Sequence, residues 1–118
     1  MPLHESGEDY LEAILMLSLE LERVRSIDVA NRLGVTKASV SKAMSNLESN
    51  GYVTMGKRDV KLTDKGMVVA QQMLERHEFF VGLLEDAGVP SDVARQEGCH
   101  MEHCLSKESF EKLKTHLS

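Results

Sequence analysis

Hydrophobic residues in this chain recur at helical spacing over most of its length and break into strand alternation once. From about Ser6 to Glu22, Leu11, Ile14, Leu15 and Leu19 lie three and four residues apart among acids, which predicts a long amphipathic first helix. Val24-Arg25-Ser26 interrupts it. Ser26 is placed to cap a second helix through Arg32, with Ile27, Ala30 and Leu33 facing inward and Gly34 ending it. Thr36 then caps a third helix, from about Lys37 to Ser49, with Val40, Ala43, Met44 and Leu47 inward and Asn50-Gly51 closing it.

The residues from Tyr52 to Met55 and from Val60 to Thr63 alternate in polarity around the turn-prone Gly56-Lys57-Arg58-Asp59, which predicts a β-hairpin. Thr63 can cap a fourth helix, containing Val68, Val69, Met73, Leu74, His77, Phe80, Leu83 and Leu84 and ending near Ala87-Gly88. Ser91 can cap a fifth helix and Ser106 a short sixth with Phe110, Leu113 and Leu117. The fold class is thus mainly α with one small hairpin: a winged helix-turn-helix over residues 1–65, then a helical domain over residues 66–118.

Length and charge sharpen this picture. A chain of 118 residues with 42% apolar composition is long enough to fold but small enough that pairing would help it, so a homodimer is expected. No run of about 18 apolar residues and no charged-then-apolar leader is visible, which points to a cytoplasmic protein without a membrane partner. The two cysteines, five positions apart, read as thiols or ligands rather than disulfide staples. The net charge is −5, yet from Arg25 to Lys65 eight basic residues oppose four acids. A basic middle in an acidic body is what a phosphate backbone would meet.

That basic middle coincides with the helix pair and the hairpin. In a winged helix-turn-helix the second helix of the pair enters the major groove and the wing touches the backbone or the minor groove. On the outward face of the third helix, Lys37, Ala38, Ser39, Ser41, Lys42 and Ser45 are small, hydroxylated or cationic. Lysines suit phosphates or guanine edges, serines suit either, and Ala38 suits a thymine methyl. Arg25, Thr36, Lys37, Ala38, Ser39, Ser41, Lys42, Lys57 and Arg58 are the candidate contacts to double-stranded DNA. The competing reading is an all-α core whose third helix is only a polar surface.

A second chemistry sits near the end of the chain. In Glu97-Gly98-Cys99-His100-Met101-Glu102-His103-Cys104, positions 99, 102 and 103 share one helical face, gathering a thiol, a carboxylate and an imidazole. Asp9 and Glu12 lie three apart on the first helix, and His77 lies on the fourth. A six-group site would therefore join three helices. Carboxylates and imidazoles suit Mn(II) and Fe(II), while a thiolate shifts preference toward Fe(II), Co(II) and Zn(II), with room for one or two ions per subunit. Each residue also has a plain reading: Asp9 as a solvated acid, His77 as an ordinary surface or core histidine, Cys99 as a small buried hydrophobe. No nucleophile-base pair or phosphate loop is visible, so no enzyme is expected.

Taken in order, Glu8-Asp9-Tyr10-Leu11-Glu12, the winged-helix segment ending Leu62-Thr63-Asp64-Lys65-Gly66, Arg76-His77, and Glu102-His103 followed by Leu105-Ser106 resemble the diphtheria toxin repressor and manganese transport regulator family. The resemblance implies a homodimeric, metal-dependent transcriptional repressor that takes a divalent ion as corepressor and binds a palindromic operator near metal-uptake genes. It matches Asp9, Glu12, His77, Glu102 and His103 to the ligands of the manganese branch. At position 99 that branch has a glutamate and the iron branch a cysteine, as here, whereas the iron branch has a methionine where this chain has Asp9. This mixed ligand set points to Fe(II) or Mn(II), with Co(II) or Zn(II) possible in vitro. The ancillary site of the iron branch is not expected, because Val81 and Arg95 stand where a carboxylate and a histidine belong, nor is its extra C-terminal SH3-like domain. Two other functions are kept beside this one: a metal-independent winged-helix regulator that senses oxidation through Cys99 and Cys104 or a small ligand, and a metalloenzyme or metal-storage protein.

Overall fold

The computed structural model describes residues 5–117 and forms two compact units, Met1–Gln71 and Gln72–Ser118. The first unit holds α1 (Glu5–Glu20), α2 (Ser26–Leu33), α3 (Lys37–Ser49), the strands β1 (Val53–Met55) and β2 (Val60–Leu62), and the start of α4 (Asp64–Asp86). The rest of α4, α5 (Ser91–Met101) and α6 (Lys107–Leu117) make the second unit.

In the first unit, Leu11, Ile14 and Leu15 of α1, Val29 and Ala30 of α2, Val40, Met44 and Leu47 of α3, and Val53 and Val60 of the hairpin are all buried. The 3.6-residue period of the helices and the two-residue period of the strands therefore supply one shared core. Gly34 separates α2 from α3 at φ 66°, a left-handed conformation that a side chain would strain, and its N–H bonds back to the Ala30 carbonyl. Thr36 then caps α3, its hydroxyl accepting from Ser39 N–H at 3.1 Å. β1 and β2 pair antiparallel in the register Val53↔Leu62, Thr54↔Lys61 and Met55↔Val60. The wing is fixed to the loop after α1 by Val60 N–H, which donates to the Val24 carbonyl at 2.8 Å. Thr63 joins the wing to α4 by accepting from Gly66 N–H at 3.1 Å and donating to the Gly51 carbonyl at 2.6 Å.

Three local expectations change. Leu19 is 74% exposed, because α1 stops at Glu20 and this last member of the stripe lies beyond the packed region. Arg25 rather than Ser26 precedes α2, and its backbone N–H donates to the Asp28 carboxylate at 2.9 Å. Pro90 rather than Ser91 precedes α5; the Ser91 hydroxyl instead donates to Glu85 at 2.6 Å.

In the second unit, Met73 and Phe80 of α4, Ala94 of α5 and Phe110 of α6 are buried. Phe79 lies edge-on to Phe80 and to Phe110, with centroids 5.2 and 5.4 Å apart. Ser106 caps α6, accepting from Ser109 N–H at 3.1 Å. At its other end, Lys114 lies 3.2 Å from Glu75 of α4, whose carboxylate raises the lysine's pKa above its usual value.

Candidate metal centre and nucleic-acid interface

α4 and α5 approach closely enough in the second unit to bring His77, Cys99 and Glu102 together. Gly98 makes this possible. A Cβ at that position would stand 2.8 Å from Val81 Cγ2 and 3.2 Å from the Val81 backbone nitrogen. Val81 is one helical turn after His77, and Glu102 is one turn after Gly98, so the close approach carries Glu102 toward His77. The result is a His77 Nδ1 to Glu102 Oε2 separation of 3.2 Å. One ligand atom each from His77, Cys99 and Glu102 lies within 4.8 Å of the other two, and the cluster could hold a metal ion.

Glu102 is the centre of this group. It is fully buried. α5 ends at Met101, and Glu102, with φ −63° and ψ −21°, keeps helical dihedrals for one further residue. That residual helicity preserves the three-residue spacing to Cys99. The chain then tightens, with His103 N–H reaching back to the His100 carbonyl at 3.4 Å. The imidazole of His103 is 4% exposed, its Nε2 standing 3.4 Å from Glu102 Oε1. That contact is not aligned as a hydrogen bond, and Glu102 Oε1 has no hydrogen-bond partner among the described residues.

A buried carboxylate with an unsatisfied oxygen is costly unless it meets a cation or a donor. With a thiol and imidazoles beside it, the donor set fits a divalent transition ion. Asp9 and Glu12 both lie on α1 in the first unit, where Glu12 is buried and Asp9 half-buried. His100 and Cys104 are exposed, and the Cys104 thiol donates to the His100 carbonyl at 3.4 Å.

The nucleic-acid candidates all lie on the surface of the first unit. Arg25 precedes α2, Thr36 caps α3, Lys37, Ala38, Ser39, Ser41 and Lys42 line the exposed side of α3, and Lys57 and Arg58 occupy the wing turn. Thr36 and Ser39 are already engaged with each other, hydroxyl to hydroxyl, at 3.0 Å. Arg25 Nε lies 3.6 Å from Asp28 while remaining 60% exposed. Ser45 is exposed on the same helix.

Two residues that shape the metal group, Gly98 and Arg76, stand in the quoted motifs without a role assigned from sequence. Gly98 follows Ala94 by four positions, a small-residue pair on one face, which is the available signal for a close helix approach. Arg76 falls in register between Met73 and Phe80 on the buried stripe of α4. A basic residue at an apolar-phase position is the available signal for a buried cation.

No helix among the described residues is long and apolar enough to cross a membrane. The family model for the N-terminal DNA-binding domain of iron-dependent repressors matches residues 2–59, and the model for their metal-binding and dimerisation domain matches residues 63–118. The transcriptional regulator MntR of Salmonella typhimurium is 37% identical over 105 residues, covering 88% of this chain and 67% of that protein. An uncharacterised helix-turn-helix regulator of Methanocaldococcus jannaschii is 32% identical over 115 residues, covering 95% of this chain and 92% of that protein. Among solved structures, a manganese-dependent transcriptional repressor in complex with manganese superposes with a TM-score of 0.83 at 27% identity, covering 94% of this chain but 52% of that one. The metalloenzyme reading falls away, since the matched family consists of repressors. The chain belongs to the iron-dependent repressor family of metal-dependent transcriptional regulators, with a winged helix-turn-helix DNA-binding domain followed by a metal-binding and dimerisation domain.

Proposed function

We propose that this chain acts in the cytoplasm as a homodimeric repressor that binds a palindromic operator when loaded with Fe(II) or Mn(II). The observation that carries the metal half is the fully buried Glu102, held within ligand reach of His77 and Cys99. His103 is a further donor beside it, and Asp9 and Glu12 are the α1 donors that the family resemblance assigns to the same shell. One or two ions per subunit are compatible with six such groups.

When bound, the ion supplies positive charge and a fixed coordination geometry to these ligands. Without it the carboxylates and the thiolate repel one another, and α1 is released from the ligands of α4 and α5. A dimer reads a palindrome only if its two α3 helices stand about one DNA turn apart, or a multiple of that. Restricting their separation raises affinity by preorganisation, provided the metal favours the competent arrangement over the others. Lys37, Ala38, Ser39, Ser41 and Lys42 then meet base edges and phosphates, while Arg25, Thr36, Lys57 and Arg58 position the backbone.

The thiolate of Cys99 is the residue that sets ion preference, drawing the site toward Fe(II), Co(II) and Zn(II), while Asp9, Glu12 and Glu102 retain Mn(II). Anaerobic competition of Mn(II), Fe(II), Co(II) and Zn(II) against a fluorescent chelator tests this, using wild type, Cys99→Glu and Cys99→Ser. A sulfur-to-cobalt charge-transfer band in wild type that Cys99→Ser abolishes, with Cys99→Glu moving the order toward Mn(II), supports the assignment. An unchanged order and spectrum in both variants would remove Cys99 from the shell.

A further inference from the structure

Arg76 is 7% exposed. Its Nη1 donates to two backbone carbonyls, those of Glu102 at 3.1 Å and Leu105 at 2.7 Å. The guanidinium carbon also stands 5.3 Å from the centroid of Phe110. Both carbonyls belong to the segment that leaves α5, where the helical ladder has run out and carbonyls need outside donors. A single guanidinium nitrogen thus bridges the two ends of the turn that contains Glu102 and His103, and Phe110 of α6 braces it from one face.

Arg76 immediately precedes His77, so one turn of α4 presents both a ligand and the group that holds the opposing ligand in place. We infer that Arg76 is a positioning residue for the metal centre. By anchoring the Glu102 carbonyl it fixes the origin of the Glu102 side chain relative to His77, and the bond to Leu105 prevents the turn from unwinding. The inference rests on the metal-binding role proposed above for His77, Cys99 and Glu102. Loss of the clamp leaves two carbonyls without their donor and allows the Glu102 carboxylate to move off its 3.2 Å contact with His77.

The test compares wild type with Arg76→Met, which keeps a long apolar stem, and Arg76→Lys, which keeps a donor. Each full-length apo protein is first checked by circular dichroism and urea unfolding, then titrated anaerobically with Co(II) and followed by its d–d and charge-transfer bands. The expected result is a folded Arg76→Met whose Co(II) affinity falls by about 10–100-fold, with altered d–d bands, and a partial return of both in Arg76→Lys. Arg76→Met that is less stable yet binds Co(II) with wild-type affinity and spectrum would make Arg76 a purely structural residue and overturn the inference. If Arg76→Met does not fold, Arg76→Lys decides: lowered affinity with altered bands supports the inference, and wild-type affinity and bands with the donor moved from the Nη1 position overturn it. Failure of the wild type to bind Co(II) would instead refute the metal-binding reading on which the inference stands.

Discussion

Gly98 sits so close to Val81 that a single added methyl would lie 2.8 Å from Val81 Cγ2. Valine is β-branched and stiff, and the next atom in the way is its backbone nitrogen at 3.2 Å, so neither neighbour yields without moving α4. The Gly98→Ala variant should therefore force α4 and α5 apart, destabilising the apo protein by about 1–3 kcal/mol in urea unfolding. It should also weaken metal binding, because Cys99 and Glu102 retreat from His77 with α5. Unchanged unfolding and Co(II) affinity would show that the helices accommodate the methyl and that their spacing does not govern the centre.

Glu102 is a poor choice for stability, being a carboxylate buried without full hydrogen bonding. A Glu102→Gln substitution keeps its shape and removes its charge. Measured in chelator at pH 7, this variant should match or exceed the wild type by on the order of 1 kcal/mol. Added metal at about 100 times its dissociation constant should stabilise the wild type by roughly 2.7 kcal/mol and leave Glu102→Gln unmoved. A large loss of apo stability in Glu102→Gln would mean that the carboxylate serves the fold through its contact with His77 rather than the metal.

Lys42 on α3 and Arg58 on the wing are exposed and carry the positive charge assigned to phosphate contacts. Replacing either with alanine should weaken binding to all duplexes alike and lower the slope of log affinity against log salt by about 1. Lys112 provides the control; it lies on α6, 78% exposed and paired with Glu108. Lys112→Ala should leave the slope unchanged. Equal slopes in all four proteins would remove α3 and the wing from the DNA interface.

How far the sequence could be read depended on whether the deciding interaction was local. The bounds of α3 follow from Thr36, Gly34 and Asn50, each acting within a few residues, and the structure places α3 at Lys37–Ser49. The hairpin follows from alternation around Gly56, again a local matter. The shared face of Cys99 and Glu102 also survives, because Glu102 retains helical dihedrals after α5 ends. Leu19 falls on the apolar stripe and is exposed, since nothing in a stripe says where the packed surface stops. Arg76 and Gly98 act on residues 26 and 17 positions away, at Glu102 and Val81, so their local sequence carries only a faint signal. Pro90 displaced Ser91 as the residue before α5 because the Ser91 hydroxyl found Glu85, a partner the capping rule does not weigh.

The most direct test of the metal-to-DNA coupling uses a palindromic duplex selected from a random library with metal-loaded protein. Its binding is followed anaerobically by fluorescence anisotropy, with Mn(II) or Fe(II) and with chelator, for wild type and Glu102→Gln. Tight binding by the wild type in metal, lost in chelator and lost in Glu102→Gln under both conditions, is the outcome the account predicts. Equal affinity in metal and in chelator would contradict it, and would place control of this repressor outside the His77, Cys99 and Glu102 cluster.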